Sequence, residues 1–181
     1  MLQITIPATE LFDEESQEFI QMKEQTLVLE HSLVSLSKWE SKWNKAFLSK
    51  KEKTVEETID YIRFMTVNKN VDPDVYTFLT RENFQSINEY IGAPMTATYF
   101  REEEGPLNNR DTVTSELIYY WMIALNIPFD PCQKWHLNRL FALIKVCNIK
   151  SQPPKKMSRS AIMSQNAALN AARRKQFNTK G

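Results

Sequence analysis

The opening stretch LQITIP (residues 2–7) alternates apolar and polar positions, and EFIQMKEQTLVLEHS (18–32) places two strand-like runs around a short polar turn. In TLVLEHS, Leu27 and Leu29 share one face with His31, while Thr26, Val28 and Glu30 take the other. His31 therefore reads as a polar residue at a strand end rather than a ligand. From Leu33 the period changes. Leu36, Trp39, Trp43 and Phe47 recur at helical spacing in SLVSLSKWESKWNKAFL (32–48), with Lys, Glu and Ser opposite. Such an aromatic stripe reads as core or as a helix–helix seam. SKKEK (49–53) predicts an exposed linker. Thr54 and Glu57 then stand in capping-box register at the head of an amphipathic helix, TVEETIDYIRFMTVN (54–68). Asp72 and Pro73 supply an N-cap and a first helical position for a short helix, and TRENFQSINEYIG (80–92) predicts another, stopped by Gly92 and Pro94.

MTATYF (95–100) reads as a short strand, and REEEGPLNNRD (101–111) as an exposed loop whose consecutive acids are solvated. TSELIYYWMIALNI (114–127) begins with Thr114 as N-cap and is apolar nearly all round from Leu117 to Leu125, which predicts a central buried helix. Pro128 and Pro131 bracket a turn. A second helix is expected from Cys132 to about Ile149, ended by SQPP. Its stripe of Leu137, Leu140, Phe141, Ile144 and Cys147 should pair with LIYYWMIAL to build the core. The last 28 residues carry Ser158 as a plausible N-cap and an alanine-rich stretch with good helix propensity but little to bury. That segment reads as one that orders on a partner.

These elements predict a mainly α fold (α+β), with a helical body, a small N-terminal antiparallel β element and a basic C-terminal helix. Residues 1–32 form the β element, 33–150 the helical body belonging to the same domain, and 151–181 the basic tail, helical or ordered by a partner. The formal net charge of +1 hides a polarity along the chain. Residues 131–181 hold 11 Lys/Arg and no acid, while all 22 Asp/Glu fall in residues 1–130. Either the tail neutralises its own body or a neighbour's, or it is an arm for nucleic acid or an acidic partner. No apolar run approaches the ~18 residues a membrane span needs. The N-terminus lacks the basic and apolar regions of a signal peptide, so the chain is expected in the cytoplasm with reduced cysteines.

Candidate chemistry is sparse. Only three glycines occur, with no GxxxxGK or GxGxxG, and GxSxG, HExxH and CxxC are absent. Cys132 and His136 stand four apart, the spacing of one helical face. On a continuous helix, however, Cys147 would lie roughly 22 Å from Cys132, too far to join a metal site or a disulfide. Cys147 reads as a small core hydrophobe, and Cys132 and His136 as residues serving a helix end. No catalytic, metal or cofactor-binding residues are assigned and no cofactor is expected. What remains is interaction. Tyr119, Tyr120 and Trp121 point to different sides of their helix, so at least one should emerge as a contact surface. Trp135 and the cluster Arg173, Arg174 and Lys175 complete the candidate partner-binding set.

The stretch TSELIYYWMIALNIPFDPCQKWHLNRLFALIKVCN resembles tail assembly chaperones of long-tailed (siphovirus-type) bacteriophages. EFIQMKEQTLVLEHSLVSLSKWESKW, DYIRFMTVN, INEYIGAPMTATYF and the ending ALNAARRKQFNTKG support the likeness, over roughly residues 18–181. The resemblance rests on overall texture and implies no site residues. It implies a non-enzymatic, mostly helical protein of the host cytoplasm that coats the aggregation-prone tape measure protein and recruits tail-tube subunits. It also implies a form that a ribosomal frameshift lengthens in many relatives. Self-association is compatible with it, and a membrane role is not expected. Two alternatives stay open: a virion structural or connector protein, and a small nucleic-acid-binding regulator that uses the basic tail.

Overall fold

The structure, a computed structural model, describes residues 1–13, 18–100, 112–151 and 158–178, with the side chains of 11–13, 18–21 and 161 left aside. The region read as the acidic loop, 101–111, lies outside the described residues. The fold is mainly α with a small antiparallel β element. Strands β1 (Leu2–Ile6), β2 (Thr9–Asp13), β3 (Glu18–Met22) and β4 (Gln25–Leu29) come first. β1 pairs with β4 and β2 with β3, both antiparallel. Partner numbering runs unbroken from Leu2–Leu29 to Asp13–Glu18, so the two pairs are successive halves of one hairpin, interrupted at Pro7–Ala8 and Lys23–Glu24. Proline, with no N–H to give to a ladder, suits such a break. The runs on either side of the Lys23–Glu24 turn thus continue one arm of the hairpin and do not pair with each other.

β4 alternates as expected: Leu27, Leu29 and His31 are buried, opposite Ile4 and Leu2 of β1. Its outer edge is closed by the chain after the second helix. Glu30 N donates to Met65 O (2.9 Å) and Val67 N to Val28 O (2.8 Å). The Asn68 side chain prolongs this ladder, accepting from Val28 N and donating to Thr26 O, both at 2.9 Å. An edge satisfied in this way offers no template for further strand pairing.

Helices α1 (Leu33–Trp43), α2 (Val55–Met65), α3 (Arg81–Gly92), α4 (Ser115–Ala124), α5 (Phe129–Cys132), α6 (Leu137–Ser151) and α7 (Arg159–Phe177) follow, with a 3-10 helix at Pro73–Phe78 between α2 and α3. Capping boxes start α1 at Ser32 and Ser35, α2 at Thr54 and Glu57, and α3 at Thr80 and Asn83. Asp72 caps the 3-10 helix with Pro73 next, and Thr114 caps α4. In each case a side-chain oxygen takes up a backbone N–H that the first turn leaves without a partner.

Four expectations need correction. α1 stops at Trp43, where Asn44 adopts a left-handed backbone (φ 52°), so Phe47 lies beyond the helix. It folds back to stack on Tyr61 at 3.8 Å and meets Trp39 edge-on at 5.0 Å, keeping its core role without helical geometry. MTATYF is irregular, not a strand, and none of the described strands pairs with it. The helix expected from Cys132 to Ile149 begins only at Leu137 as α6; Cys132 ends the separate α5, the N–H groups of 133–135 make local turn bonds, and Leu137 N donates to His31 O at 2.7 Å. Finally, α4 is not centrally buried: only Ser115, Ile118 and Met122 are.

Residues Met1–Asn148 form one compact unit and Ile149–Gly181 a second. Within the first, two apolar clusters share α1. Trp39 joins the hairpin face, α2, the 3-10 helix and α3, while Leu33 and Leu36 join Ile118 and Met122 of α4 and Leu137, Leu140 and Ile144 of α6. The predicted pairing of the α6 stripe with LIYYWMIAL is therefore observed, with Phe141 and Cys147 only half-buried at its margin. In the second unit, Ser158 O accepts from Ile162 N (3.0 Å) at the head of α7, and every described side chain of that helix is exposed.

Candidate interaction surfaces

The two histidines meet. His31 at the end of β4 and His136 before α6 are both buried, with ring centroids 5.1 Å apart and edge-to-face. His31 Nδ1 lies 2.5 Å from the Tyr61 hydroxyl of α2. His136 Nδ1 accepts from Asn138 N (3.2 Å), capping α6. Its Nε2 must then carry the proton, donated to Tyr90 O of α3 at 3.0 Å. Tyr90 in turn donates its hydroxyl to Glu30 Oε1 at 2.7 Å. Burial pushes His31 down to about 4, lowers His136, and raises Tyr61 and Tyr90. Both imidazoles are thus neutral at physiological pH. Each ring holds elements together: β4 to α2 through His31, α3 to α6 through His136.

Cys132 and His136 do not share a helical face, because the chain leaves the helix between them. Cys132 is buried in the α4–α6 cluster, and the histidine that approaches His136 is His31. No group of three or more His, Cys, Asp or Glu residues able to hold a metal occurs among the described residues. The meeting of His31 and His136 was invisible in the sequence, because it depends on a contact between the β4 end and the α6 start.

Three buried acids also have structural partners. Glu40 of α1 accepts from Phe47 N (2.9 Å) and from Ser115 N (2.7 Å), tying the chain after α1 and the first turn of α4 to one carboxylate. A negative charge there also meets the positive end of the α4 dipole. On α2, Asp60 pairs with Lys42 and Arg63, and Glu57 with Lys45 as well as the Thr54 N–H. A cleft of about 340 Å³ beside them is lined by lysines 45, 51 and 53, Glu52, Glu57 and Thr112. Its charges are of mixed sign, with Lys45 already paired to Glu57, and select no ligand class.

The surface of α4 is different. Tyr120 and Ile123 are each 63% exposed, and Ala124 beside them is exposed. Leu117, Tyr119 and Trp121 are half-buried. Phe129 of α5, 42% exposed, continues the surface and meets Tyr119 edge-on at 5.3 Å. Of the predicted aromatics, Tyr120 projects outward, while Tyr119 turns to donate its hydroxyl to Gln133 Oε1 (3.3 Å). Ile123 and Phe129 were missed, since the run reads as core and sequence cannot say which side stays uncovered. Trp135 is half-buried under Arg139, whose guanidinium lies 4.2 Å from its ring centre. Arg173, Arg174 and Lys175 are exposed on the last turns of α7, in the second compact unit. No described helix is long and apolar enough to cross a membrane. Set against protein-family models, curated proteins and solved structures, the chain matches none.

Proposed function

We propose that this chain is a non-enzymatic tail assembly chaperone of a long-tailed bacteriophage, acting in the host cytoplasm on the tape measure protein and helping to recruit tail-tube subunits. The observation that carries the reading is the apolar face of α4, built from Tyr120 and Ile123 with Ala124 and Phe129, left uncovered on a folded body. Exposed apolar surface on a soluble-type helix marks a contact site, and a helical client with its own apolar stripe fits it in the helix-in-groove manner. The choice of client comes from the sequence resemblance. Co-expression tests it: wild-type protein should keep a tape measure fragment soluble and elute with it on size exclusion, and Tyr120→Asp/Ile123→Asp should leave the fragment insoluble. A client that precipitates equally with and without the wild-type chain contradicts the reading.

The basic tail supports a second reading, a nucleic-acid-binding regulator, because α7 presents Arg173, Arg174 and Lys175 with no acid in the segment. That reading requires DNA affinity that falls steeply with salt and disappears on deleting residues 155–181. Salt-insensitive or absent binding removes it.

A further inference from the structure

We propose that the junction of β4, α3 and α6 is an acid-operated latch, in which a proton taken up at His136 Nδ1 releases the start of α6 from its neighbours. Three chain segments meet at this buried ring. His136 Nε2 donates to Tyr90 O of α3 at 3.0 Å, and Nδ1 accepts from Asn138 N at 3.2 Å. The ring stands edge-on to Tyr90, with centroids 4.8 Å apart, and to His31 at the end of β4, at 5.1 Å. Beside it, Leu137 N donates to His31 O at 2.7 Å, and Asn138 Nδ2 to the carbonyls of Ile91 and Ala93 at 3.0 and 2.8 Å. The bonds that hold the head of α6 to α3 and to β4 are thus gathered within two residues of His136.

The neutral ring fits this place and the charged ring does not. With Nε2 committed to a carbonyl, an added proton can go only to Nδ1. There it removes the lone pair that caps α6 and sets a new donor against the Asn138 N–H. It also puts a positive charge at the N-terminus of α6, the end of the helix dipole that favours anions. The groups around the ring relieve this only in part. Glu30 attracts an imidazolium, but its carboxylate already accepts from the Tyr90 hydroxyl at 2.7 Å and lies 3.3 Å from the Met1 amino group, which repels one. From α2, Tyr61 faces His31 at 2.5 Å, and Glu40 of α1 accepts from Phe47 N and Ser115 N. On the chain around the ring, Arg139 lies over Trp135 and Lys134 pairs with Asp130 at the surface. Burial is the largest influence and lowers His136 from its ordinary value. Once α6 opens, the freed ring titrates at the ordinary 6.5. Opening therefore takes up a proton as pH falls below that value and becomes easier by up to about tenfold per pH unit. The effect levels off where the folded ring itself titrates, and above 6.5 it is absent.

The test is amide hydrogen exchange read by NMR on the purified full-length chain, corrected for intrinsic rates, from about pH 7.5 to about 5. It needs no client or nucleic acid, so its outcome is independent of the chaperone reading. The amides of Leu137, Asn138 and Leu140 should be less protected than those of Ile62 and Met65 in α2 at every pH, because the latch opens without global unfolding. Between about pH 6.5 and 5.5 they should lose protection roughly threefold or more. His136→Asn keeps a side-chain oxygen to cap α6 but cannot take up the proton, so it should abolish this dependence. His31→Gln should leave it in place. Should His136→Asn fail to fold, the wild type still decides: the loss of protection should level off at the midpoint of the His136 ring titration, followed by its Cε1–H signal. Amides of α6 that track those of α2 at every pH, or that ignore pH, would overturn the inference. So would a dependence that survives His136→Asn, disappears with His31→Gln, or levels off away from the His136 titration.

Discussion

α2 and α4 are nearly equal in length, yet their burial is inverted relative to their composition. α2 carries three acids and an arginine and still buries Glu57, Asp60, Tyr61, Ile62 and Met65. α4 is apolar along almost its whole length and buries only Ser115, Ile118 and Met122. On α2 the buried carboxylates are matched by Lys42, Arg63 and Lys45, which keep their own heads at the surface. On α4 nothing in the described body lies over Tyr120 and Ile123. A polar helix can thus be finished internally, whereas an apolar one can be left half bare.

The comparison can be broken from either side. Truncating the buried face of α4 should have the largest effect: Met122→Ala, at a fully buried position, should lower unfolding free energy by about 2–5 kcal/mol in urea titration. Next, Glu40→Ala removes the carboxylate that holds Ser115 N and Phe47 N. With two donors left without it, stability should fall by about 2–4 kcal/mol; a change within experimental error would mean the carboxylate does not join α1 to α4.

Acid should act through the histidines. His31 is neutral in the folded protein down to about pH 4, whereas the unfolded chain protonates near 6.5. As pH falls through that window the unfolded state binds the extra proton, and stability should drop by ~3 kcal/mol from this group. Above pH 6.5 the effect vanishes. His31→Gln should flatten that part of the stability profile relative to wild type, and parallel profiles would contradict the burial of the ring. The smallest effect belongs to the outer face of α4, where Ile123→Ser should change stability by no more than about 0.5 kcal/mol while weakening association. A large loss of stability would turn Ile123 back into a core residue.

Local signals made much of this fold legible in the sequence. Thr54 with Glu57, Asp72 with Pro73, and Thr114 fixed three element starts, because capping needs only residues a few positions apart. The alternation of Leu27, Leu29 and His31 located one buried face of β4. Features set by distant contacts escaped. Where α6 begins depends on His31 O, and the neighbourhood of His136 on α3 and β4. The termination of α1 turns on the left-handed backbone of Asn44, a residue that tolerates such a conformation without demanding it. The proposed interaction surface was half legible. Tyr120 was foreseen as emerging from its helix, but hydrophobicity records what a helix can bury and not whether anything arrives to bury it.

Paired photocross-linking tests the central claim most directly, with a benzophenone amino acid placed at Ile123 on α4 or at Val55 on α2. Both are exposed apolar positions, at 63% and 74%, so solvent access alone does not separate them. In full-length protein mixed with a tape measure fragment, position 123 should yield client adducts and position 55 should yield none. Equal yields at the two positions, or no adducts at 123, would contradict a partner-seeking face on α4.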